Sequence, residues 1–249
     1  MNLKEKLKNE VTTIGSWITF GDTGVTEVMA KAGFDWLTID LEHSCINIKQ
    51  AEELIRIIDL CGVTPLVRLT SNDADLIKRV MDAGANGIIV PMINSIEDAE
   101  KAINATYYPP LGKRSFGLAR AQGYGVHFEQ SLQNSFENTV VVVQIEHIDA
   151  LTELEAILSL KQIDAYIIGP YDLSGSMGIP GEFDNTDYLT VIEEINSVGR
   201  KVGKPGGIHI VEPDLDAYMK ARDDYSFIAY SVDFRMLDVA CRNASLKID

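Results

Sequence analysis

The stretch TIDLEHS, residues 38–44, places the ionisable side chains of Asp40, Glu42 and His43 at the end of a run that is otherwise apolar. Burying charged groups is costly unless each has a partner, so this cluster predicts that other strand ends supply those partners. The imidazole of His43 is the candidate acid–base group, because histidine ordinarily titrates near neutral pH. Two carboxylates are candidates to orient this imidazole. One is Asp40, on the same strand end, and the other is Asp82, near the end of the third helical run.

Glu146 and Asp172 follow two neighbouring strand-like runs, VVVVQI and AYIIGP. Hard divalent cations prefer carboxylate oxygens, with water or substrate oxygens completing their coordination. Each carboxylate alone is typical of a salt bridge or a helix N-cap. Together with Arg68 and His43 at comparable strand ends, the pair predicts a site for Mg²⁺, Mn²⁺ or Co²⁺. The planar guanidinium of Arg68 can clamp a carboxylate or stabilise an enolate oxygen.

The lysines provide a negative observation. None of them falls at the carboxyl end of a strand-like run, and Lys204 precedes the seventh run, at its amino end. A Schiff-base mechanism needs a desolvated lysine in the pocket. The sequence therefore favours metal-assisted chemistry over an imine-forming aldolase.

The elements that must position these residues alternate regularly. Eight short apolar runs are each followed by a segment with helical periodicity, and this repeat predicts a parallel sheet with helices outside it. Eight units predict closure into a (β/α)8 barrel, in one domain covering residues 1–249. An open doubly wound sheet is the main rival, weakened because no G-x-G-x-x-G follows the first strand. The eight runs are ITF, WLTID, PLVRL, GIIVPM, VVVVQIE, AYIIGP, GGIHI and FIAYSVD.

A long segment, residues 109–138, interrupts this alternation between the fourth helix and the fifth strand. It carries Arg114 and Arg120 among several glycines and aromatic residues. Connections of this length in compact domains are usually functional or disordered. We expect the barrel to place it on the same face as the carboxyl ends of the strands.

The composition limits the class of partner and the compartment. The formal net charge is −15, which argues against nucleic acid or an anionic membrane as the main partner. The three cysteines are widely spaced, as is typical of free thiols in a reducing compartment rather than of disulfides or a zinc site. The charged start MNLKEKLKNE does not resemble a signal peptide, and no apolar run approaches the ~20 residues of a membrane helix. These features predict a cytoplasmic protein that acts on a small molecule.

At these residues the chain resembles the HpcH/HpaI aldolase family, metal-dependent aldolases of the phosphoenolpyruvate/pyruvate barrel superfamily. The resemblance covers most of residues 15–233, and its motifs follow one another in family order with family-like spacing. The matching stretches are AGFDWLTIDLEHS, PLVRLTSND, LIKRVMDAGANGIIVPMI, YYPPLGKRSFG, VVQIE and IGPYDLSGSMGIPG.

The resemblance implies a class II aldolase that cleaves a 4-hydroxy-2-oxo acid, such as 2-dehydro-3-deoxyglucarate or a 2,4-dihydroxyhept-2-enedioate type substrate, to pyruvate and an aldehyde. It implies a homohexamer or trimer, with a C-terminal helix, residues 234–249, exchanged between neighbours. By position, Glu146 and Asp172 resemble the metal ligands and Arg68 the group that stabilises the enolate. His43 and Asp82 resemble the acid–base dyad. Further family positions are Asp40, behind the substrate-contacting groups, and the substrate-binding positions Gln144, Gly169 and Pro170.

Some positions depart from the family pattern. Tyr171 stands where a small residue is common, and His209 where an apolar residue is common. Arg235 follows the eighth strand, and the segment after Lys113 is shorter than in typical members. These differences fall where the aldehyde half of the substrate would bind. We therefore expect Tyr171 and His209 to contact substrate and to influence which aldehyde is accepted.

Two alternative functions are weighed against the aldolase. An acyl-CoA lyase, as in the citrate lyase and malyl-CoA branch of the superfamily, needs a basic surface for the CoA phosphates, and only Lys113 and Arg114 offer one. A non-catalytic barrel that binds oxo acids is compatible with the fold, because fold does not determine function. The complete set of ionisable groups argues against this second alternative.

Overall fold

The computed structural model describes residues 1–244, in which eight parallel strands pair in sequence order and close into a barrel. The predicted (β/α)8 architecture is therefore confirmed. Most strand residues are buried, because the barrel interior lies on one face and the surrounding helices on the other. The strands are β1 (Thr13–Ile18), β2 (Trp36–Asp40), β3 (Thr64–Arg68), β4 (Gly87–Val90), β5 (Val140–Ile145), β6 (Ala165–Ile168), β7 (Gly206–Ile210) and β8 (Phe227–Val232).

Helices surround the barrel, and polar side chains set several of their starts. The side chains of Asp22, Asn47, Asp73 and Ser95 each accept a hydrogen bond from a backbone N–H of the first helical turn. The α-helices are α1 (Leu3–Lys8), α2 (Thr23–Ala30), α3 (Ile48–Leu60), α4 (Ala74–Asp82), α5 (Ile96–Thr106), α6 (Phe128–Asn138), α7 (Leu154–Ser159), α8 (Pro170–Ser176), α9 (Thr186–Val202), α10 (Leu215–Ala221) and α11 (Asp233–Ala244).

The barrel interior is filled by large apolar side chains. The rings of Trp36 and Phe227 stack with their centroids 4.2 Å apart. A Cβ atom at Gly15 would lie 2.0 Å from the Trp36 ring, so only glycine fits on the neighbouring strand. Leu3 and Leu7 of α1 are buried in this same cluster. Helix α1 was not predicted from the sequence. Its apolar side chains fill part of the core that the eight strands alone would leave unfilled.

The structure corrects the placement of residues 109–138. A connection that leads from a helix into the next strand of a parallel barrel lies at the amino ends of the strands, and this segment joins α5 to β5. Its 3₁₀ helix, Arg120–Gly125, contacts α4, and its helix α6 contacts α1. The expectation that it lies on the face formed by the carboxyl ends was therefore wrong.

Helix α11 follows β8 directly and is poorly covered. Among its described residues only Asp233 is buried, whereas Phe234 and Leu237 are 48% and 53% exposed. Residues 245–249 of the predicted C-terminal segment lie outside the described residues. Across residues 1–244, no helix combines the length and apolar character needed to span a membrane.

Candidate active site

Arg68, the last residue of β3, is held rigidly by the neighbouring strand. Its Nε donates to Asp40 Oδ1 at 2.9 Å and one terminal nitrogen donates to Asp40 Oδ2 at 2.7 Å, in a bidentate pair. The guanidinium lies 4.3 Å from the Trp17 ring centroid, which packs against its planar face. Because these contacts occupy Nε and one terminal nitrogen, the other terminal nitrogen has no protein partner within residues 1–244 and is available to a ligand.

Asp40 also stabilises the turn that follows β2 and carries Glu42 and His43. Its Oδ1 accepts from the backbone N–H groups of Glu42 at 3.0 Å and His43 at 3.3 Å, and its side chain is 2% exposed. The His43 ring is 64% exposed, and its nearest acidic partner is Glu42, at 3.8 Å between Nε2 and Oε2. The structure thus places Asp40 behind Arg68, and His43 at the open rim.

Glu146 follows β5 and is buried beside Gln144, as alternation along the strand predicts. Its Oε1 accepts from the Met92 backbone N–H at 2.7 Å, and its Oε2 accepts from the Gln144 side-chain amide. Burial raises the pKa of Glu146, while those two hydrogen bonds oppose the increase and the nearby Asp172 carboxylate adds to it. A Cβ at Gly169 would lie 2.7 Å from Glu146 Oε2, so glycine permits this close approach.

Asp172 lies in the first turn of α8, which begins at Pro170 immediately after β6. Its negative charge raises the pKa of both Glu146 and Glu42, and Asp40 acts on Glu42 in the same way. The pKa of Glu42 is raised to about 7, mainly by burial and also by the surrounding carboxylates, against the opposing effect of the Arg68 charge. Glu42 Oε2 is buried without a hydrogen-bond partner. Four carboxylates therefore lie in one electrostatic cluster, and two of them, Asp40 and Glu42, form ion pairs with Arg68.

This arrangement fits a divalent cation. No group of three or more His, Cys, Asp or Glu side chains within residues 1–244 is arranged to hold a metal alone. Glu146 and Asp172 are the two carboxylates that would offer hard oxygen ligands, and one or two carboxylates are the usual protein contribution to a magnesium site completed by water and substrate. A cation there would relieve the repulsion between the carboxylates.

A cavity of about 270 Å³ opens at the carboxyl ends of the strands, and its lining includes Arg68 and Asp172. Glu146 is buried behind this lining, next to Gln144, and is not among the residues that line the described cavity. Its mouth includes Tyr171, which is 62% exposed and packs edge-on against Phe183 at 5.0 Å between ring centroids. His209 reaches the cavity from β7, the strand that pairs with β6. Predicted site residues that line the cavity are Asp40, His43, Arg68, Gln144, Gly169, Pro170, Tyr171, Asp172 and His209.

Asp82 does not join them. It is the last residue of α4, and a helix that leads from the carboxyl end of β3 to the amino end of β4 finishes at the opposite end of the barrel. There it pairs with Arg114 at 2.5 Å. The expectation that Asp82 orients His43 is therefore not met within one copy of the chain. The same pair buries the Arg114 side chain to 2% exposure, which removes one of the two cations considered for CoA phosphates.

Sequence reasoning assigned no role to two residues at this end of the barrel, although Asp233 was recognised as the last residue of the eighth strand-like run. Trp17, near the end of β1, borders the cavity and packs against Arg68. Asp233 is buried, and its carboxylate accepts from the Thr19 backbone N–H, the Thr19 hydroxyl and the Phe20 backbone N–H. A tryptophan in an apolar strand carries no sequence signal for a site. Asp233 follows the eighth strand in the sequence, but its partners Thr19 and Phe20, which follow β1, become visible only when the barrel closes.

An eight-stranded parallel barrel with acidic groups and a clamped arginine at its carboxyl ends is the architecture of (β/α)8-barrel enzymes. Residues 13–237 match the family model of HpcH/HpaI aldolase/citrate lyase. A hydroxypyruvate/pyruvate aldolase from Sagittula stellata is 34% identical over 95% of this chain and 93% of its own length. A 2-keto-3-deoxy-L-rhamnonate aldolase from Salmonella gallinarum is 34% identical over 92% and 86%.

Solved structures agree with the sequence comparisons. An HpcH/HpaI aldolase/citrate lyase family protein from Burkholderia cenocepacia superposes with a TM-score of 0.91 at 30% identity, covering 97% of this chain and 96% of that one. The chain belongs to the HpcH/HpaI aldolase/citrate lyase family, and it is an enzyme of the lyase class.

Proposed function

We propose that this protein is a divalent-metal-dependent aldolase that cleaves a 4-hydroxy-2-oxo acid to pyruvate and an aldehyde. The observation that carries the proposal is the Arg68–Asp40 clamp, which presents a free guanidinium nitrogen beside the Glu146 and Asp172 carboxylates. The named activities of its relatives, a hydroxypyruvate/pyruvate aldolase and a 2-keto-3-deoxy-L-rhamnonate aldolase, support the same reaction type.

The reaction requires two events that these residues are suited to assist. The bond between C3 and C4 breaks, its electron pair becomes the enolate of pyruvate, and the C4 hydroxyl loses its proton as the aldehyde forms. We assign the proton transfer to His43, acting directly or through a water, because it stands at the rim with an exposed ring. Arg68 supplies fixed positive charge where the enolate oxygen develops negative charge.

Glu146 and Asp172 are the residues that we propose to hold Mg²⁺, Mn²⁺ or Co²⁺. Bound there, the ion would supply a Lewis acid that polarises the 2-oxo group of the substrate. Gln144 fixes Glu146 through its side-chain amide, and Gly169 leaves room for the carboxylate. These contacts hold the Glu146 carboxylate in place before substrate arrives.

The direct test is to measure pyruvate release from synthetic 4-hydroxy-2-oxo acids, using a coupled assay with each of the three metals. We expect activity with at least one of them and its loss in EDTA, with recovery when the metal is restored. Activity that survives complete metal removal would contradict the metal role. Binding of the oxo acids without turnover across the whole substrate panel would favour the non-catalytic alternative.

We further propose that the His43–Asp82 dyad forms between two copies of the chain. Within one copy the two residues lie at opposite ends of the barrel, so only a neighbour can bring an Asp82 to the rim. The exposed apolar side chains of α11 support association, in line with the expected trimer or hexamer and exchanged C-terminal helix. For this dyad to form, one of two things must happen where the copies meet. Either the ion pair between Asp82 and Arg114 opens, or the rim of the neighbouring copy accommodates both side chains.

Mixing two inactive variants tests this arrangement. We expect His43→Ala and Asp82→Ala each to lose most activity, and co-expressed chains to regain it at about a quarter of the sites, because each variant supplies the residue that the other lacks. Sedimentation of the purified proteins establishes that mixed oligomers form. Mixed oligomers with no more activity than either parent would exclude a dyad shared between subunits.

A further inference from the structure

His209 lines the cavity with its imidazole ring, whose two nitrogens differ in their surroundings. Its ring borders the cavity and lies 5.5 Å from the Trp17 ring, between centroids. Its Nε2 lies 3.1 Å from the backbone carbonyl oxygen of Ser231 on the neighbouring strand. A carbonyl oxygen can only accept a hydrogen bond, so Nε2 must carry the proton and donate.

The Ser231 carbonyl is held in place by an unusual local backbone. Ser231 has a φ of 54°, in the left-handed region that costs a non-glycine residue about 1 kcal/mol or more. Its carbonyl also accepts from the Ser16 hydroxyl at 3.2 Å, and its own hydroxyl donates to the Val211 carbonyl at 2.9 Å. The register between β1 and β8 shifts at the same level, between Gly15 and Trp17. These contacts aim a fixed acceptor at His209 Nε2.

The tautomer follows from this contact. When Nε2 carries the only proton of a neutral imidazole, the lone pair lies on Nδ1. Burial lowers the pKa of His209 to about 4, which keeps the ring neutral at the pH of the cell. No residue in the described part of the chain donates to Nδ1, so the atom is free to accept from a ligand.

The surroundings of His209 determine which ligand group suits it. Its cavity neighbours Trp17, Val211, Val232 and Phe234 leave the imidazole as a polar group on a mainly apolar wall. The lone pair of Nδ1 repels a carboxylate and attracts a hydroxyl proton. Arg68 is the one lysine or arginine that lines the described cavity, and it is committed to the Asp40 clamp and the oxo-acid half of the substrate.

We propose that His209 is a specificity-determining residue whose Nδ1 accepts a hydrogen bond from a hydroxyl group of the aldehyde half of the substrate. The enzyme would therefore select hydroxylated aldehydes over their deoxy analogues and over aldehydes that carry a carboxylate. This inference rests on the proposed aldolase function and adds the chemical class of the aldehyde. The Ser231 carbonyl is the positioning group, because it fixes the tautomer.

The test runs the reaction in the direction of bond formation, with pyruvate and either lactaldehyde or propionaldehyde, which differ only by the 2-hydroxyl. We expect wild-type kcat/KM to favour lactaldehyde by about tenfold, the worth of one well-placed neutral hydrogen bond. His209→Leu should bring this ratio close to one. A variant that folds less completely or uses pyruvate less well loses rate with both aldehydes, so that loss cancels in the ratio of the two kcat/KM values.

Two amide variants separate the roles of the ring nitrogens. His209→Asn can place an oxygen near the Nδ1 position and should retain most of the preference, whereas His209→Gln keeps a donor for Ser231 but loses the acceptor. The proposal is overturned if Leu and Gln both keep the wild-type ratio, or if succinic semialdehyde, which carries a carboxylate, is preferred over lactaldehyde by wild type. Should the Leu variant fail to fold, the Asn and Gln pair decides the question.

A separate measurement distinguishes failure of this inference from failure of the aldolase function. Enolate formation exchanges the C3 protons of pyruvate for deuterium in D₂O without any aldehyde, and NMR detects it. Wild type that exchanges these protons but does not discriminate the two aldehydes would overturn the role of His209 alone. Wild type that neither exchanges pyruvate nor joins it to any aldehyde would count against the aldolase proposal itself.

Discussion

Glu146→Gln should abolish metal-dependent turnover while making the metal-free protein more stable. We expect pyruvate release to fall by about 10³-fold, because a Lewis acid contributes several kcal/mol and each 1.4 kcal/mol is about tenfold. Burial raises the pKa of Glu146, so the folded metal-free protein disfavours its charged form. The stability this group contributes is present at low pH and is lost as pH rises through its folded pKa. The glutamine side chain of the variant does not ionise, so the variant does not lose stability in this way as the pH rises.

The measurement combines Mn²⁺ titration by electron paramagnetic resonance with thermal unfolding in EDTA at about pH 5 and about pH 8. The variant should bind Mn²⁺ poorly, and its advantage in melting temperature should be larger at the higher pH. Glu155→Gln is the matched control, since that carboxylate follows the same strand on α7, is 54% exposed and pairs with Lys201. Wild-type metal affinity and turnover in Glu146→Gln would remove this residue from the metal site.

Arg68→Ala should damage both stability and catalysis, for separable reasons. Asp40 is 2% exposed and loses both guanidinium hydrogen bonds, and a buried charge left without its partner typically costs about 3–5 kcal/mol. Removing fixed positive charge from beside a developing enolate should lower kcat by about 10²–10³-fold. Chemical denaturation and steady-state kinetics measure the two effects independently.

A double-mutant cycle with Asp40→Asn separates them. The double variant should recover part of the lost stability, because the unpaired carboxylate is gone, yet it should recover none of the lost kcat. Arg56→Ala is the control, since Arg56 forms an exposed helical pair with Glu52 that is worth little. If Arg68→Ala retained wild-type kcat, or if the double variant regained it, Arg68 would be a structural residue alone.

Much of the fold was predictable because burial on both faces of a strand leaves a clear sequence pattern. The run WLTID became β2 (Trp36–Asp40) with every residue buried, and the polar starts of several helices became N-caps that bond the first turn. The less regular parts were not predictable. Helix α1 carries only two buried leucines, and α6 has no fully buried residue, so neither has a strong apolar face.

The site residues on strand ends were predictable for a related reason. A closed parallel sheet brings all eight carboxyl ends together, so ionisable groups that end separate apolar runs must meet. Arg68, Gln144 and Asp172 reach one cavity although they are far apart in the chain. Asp82 ends a helix, and the argument from strand ends does not extend to it.

The sequence by itself determined the barrel, the family and the side chains available at its open end, because these depend on the order of apolar runs and on residue type. Tertiary structure alone decided what each group does there. The pairing of β7 with β8 places the Ser231 carbonyl beside His209 Nε2, and the pairing of β2 with β3 places Asp40 beside Arg68. Hydrogen bonds depend on distances of tenths of an ångström between residues remote in sequence, and no local pattern encodes them.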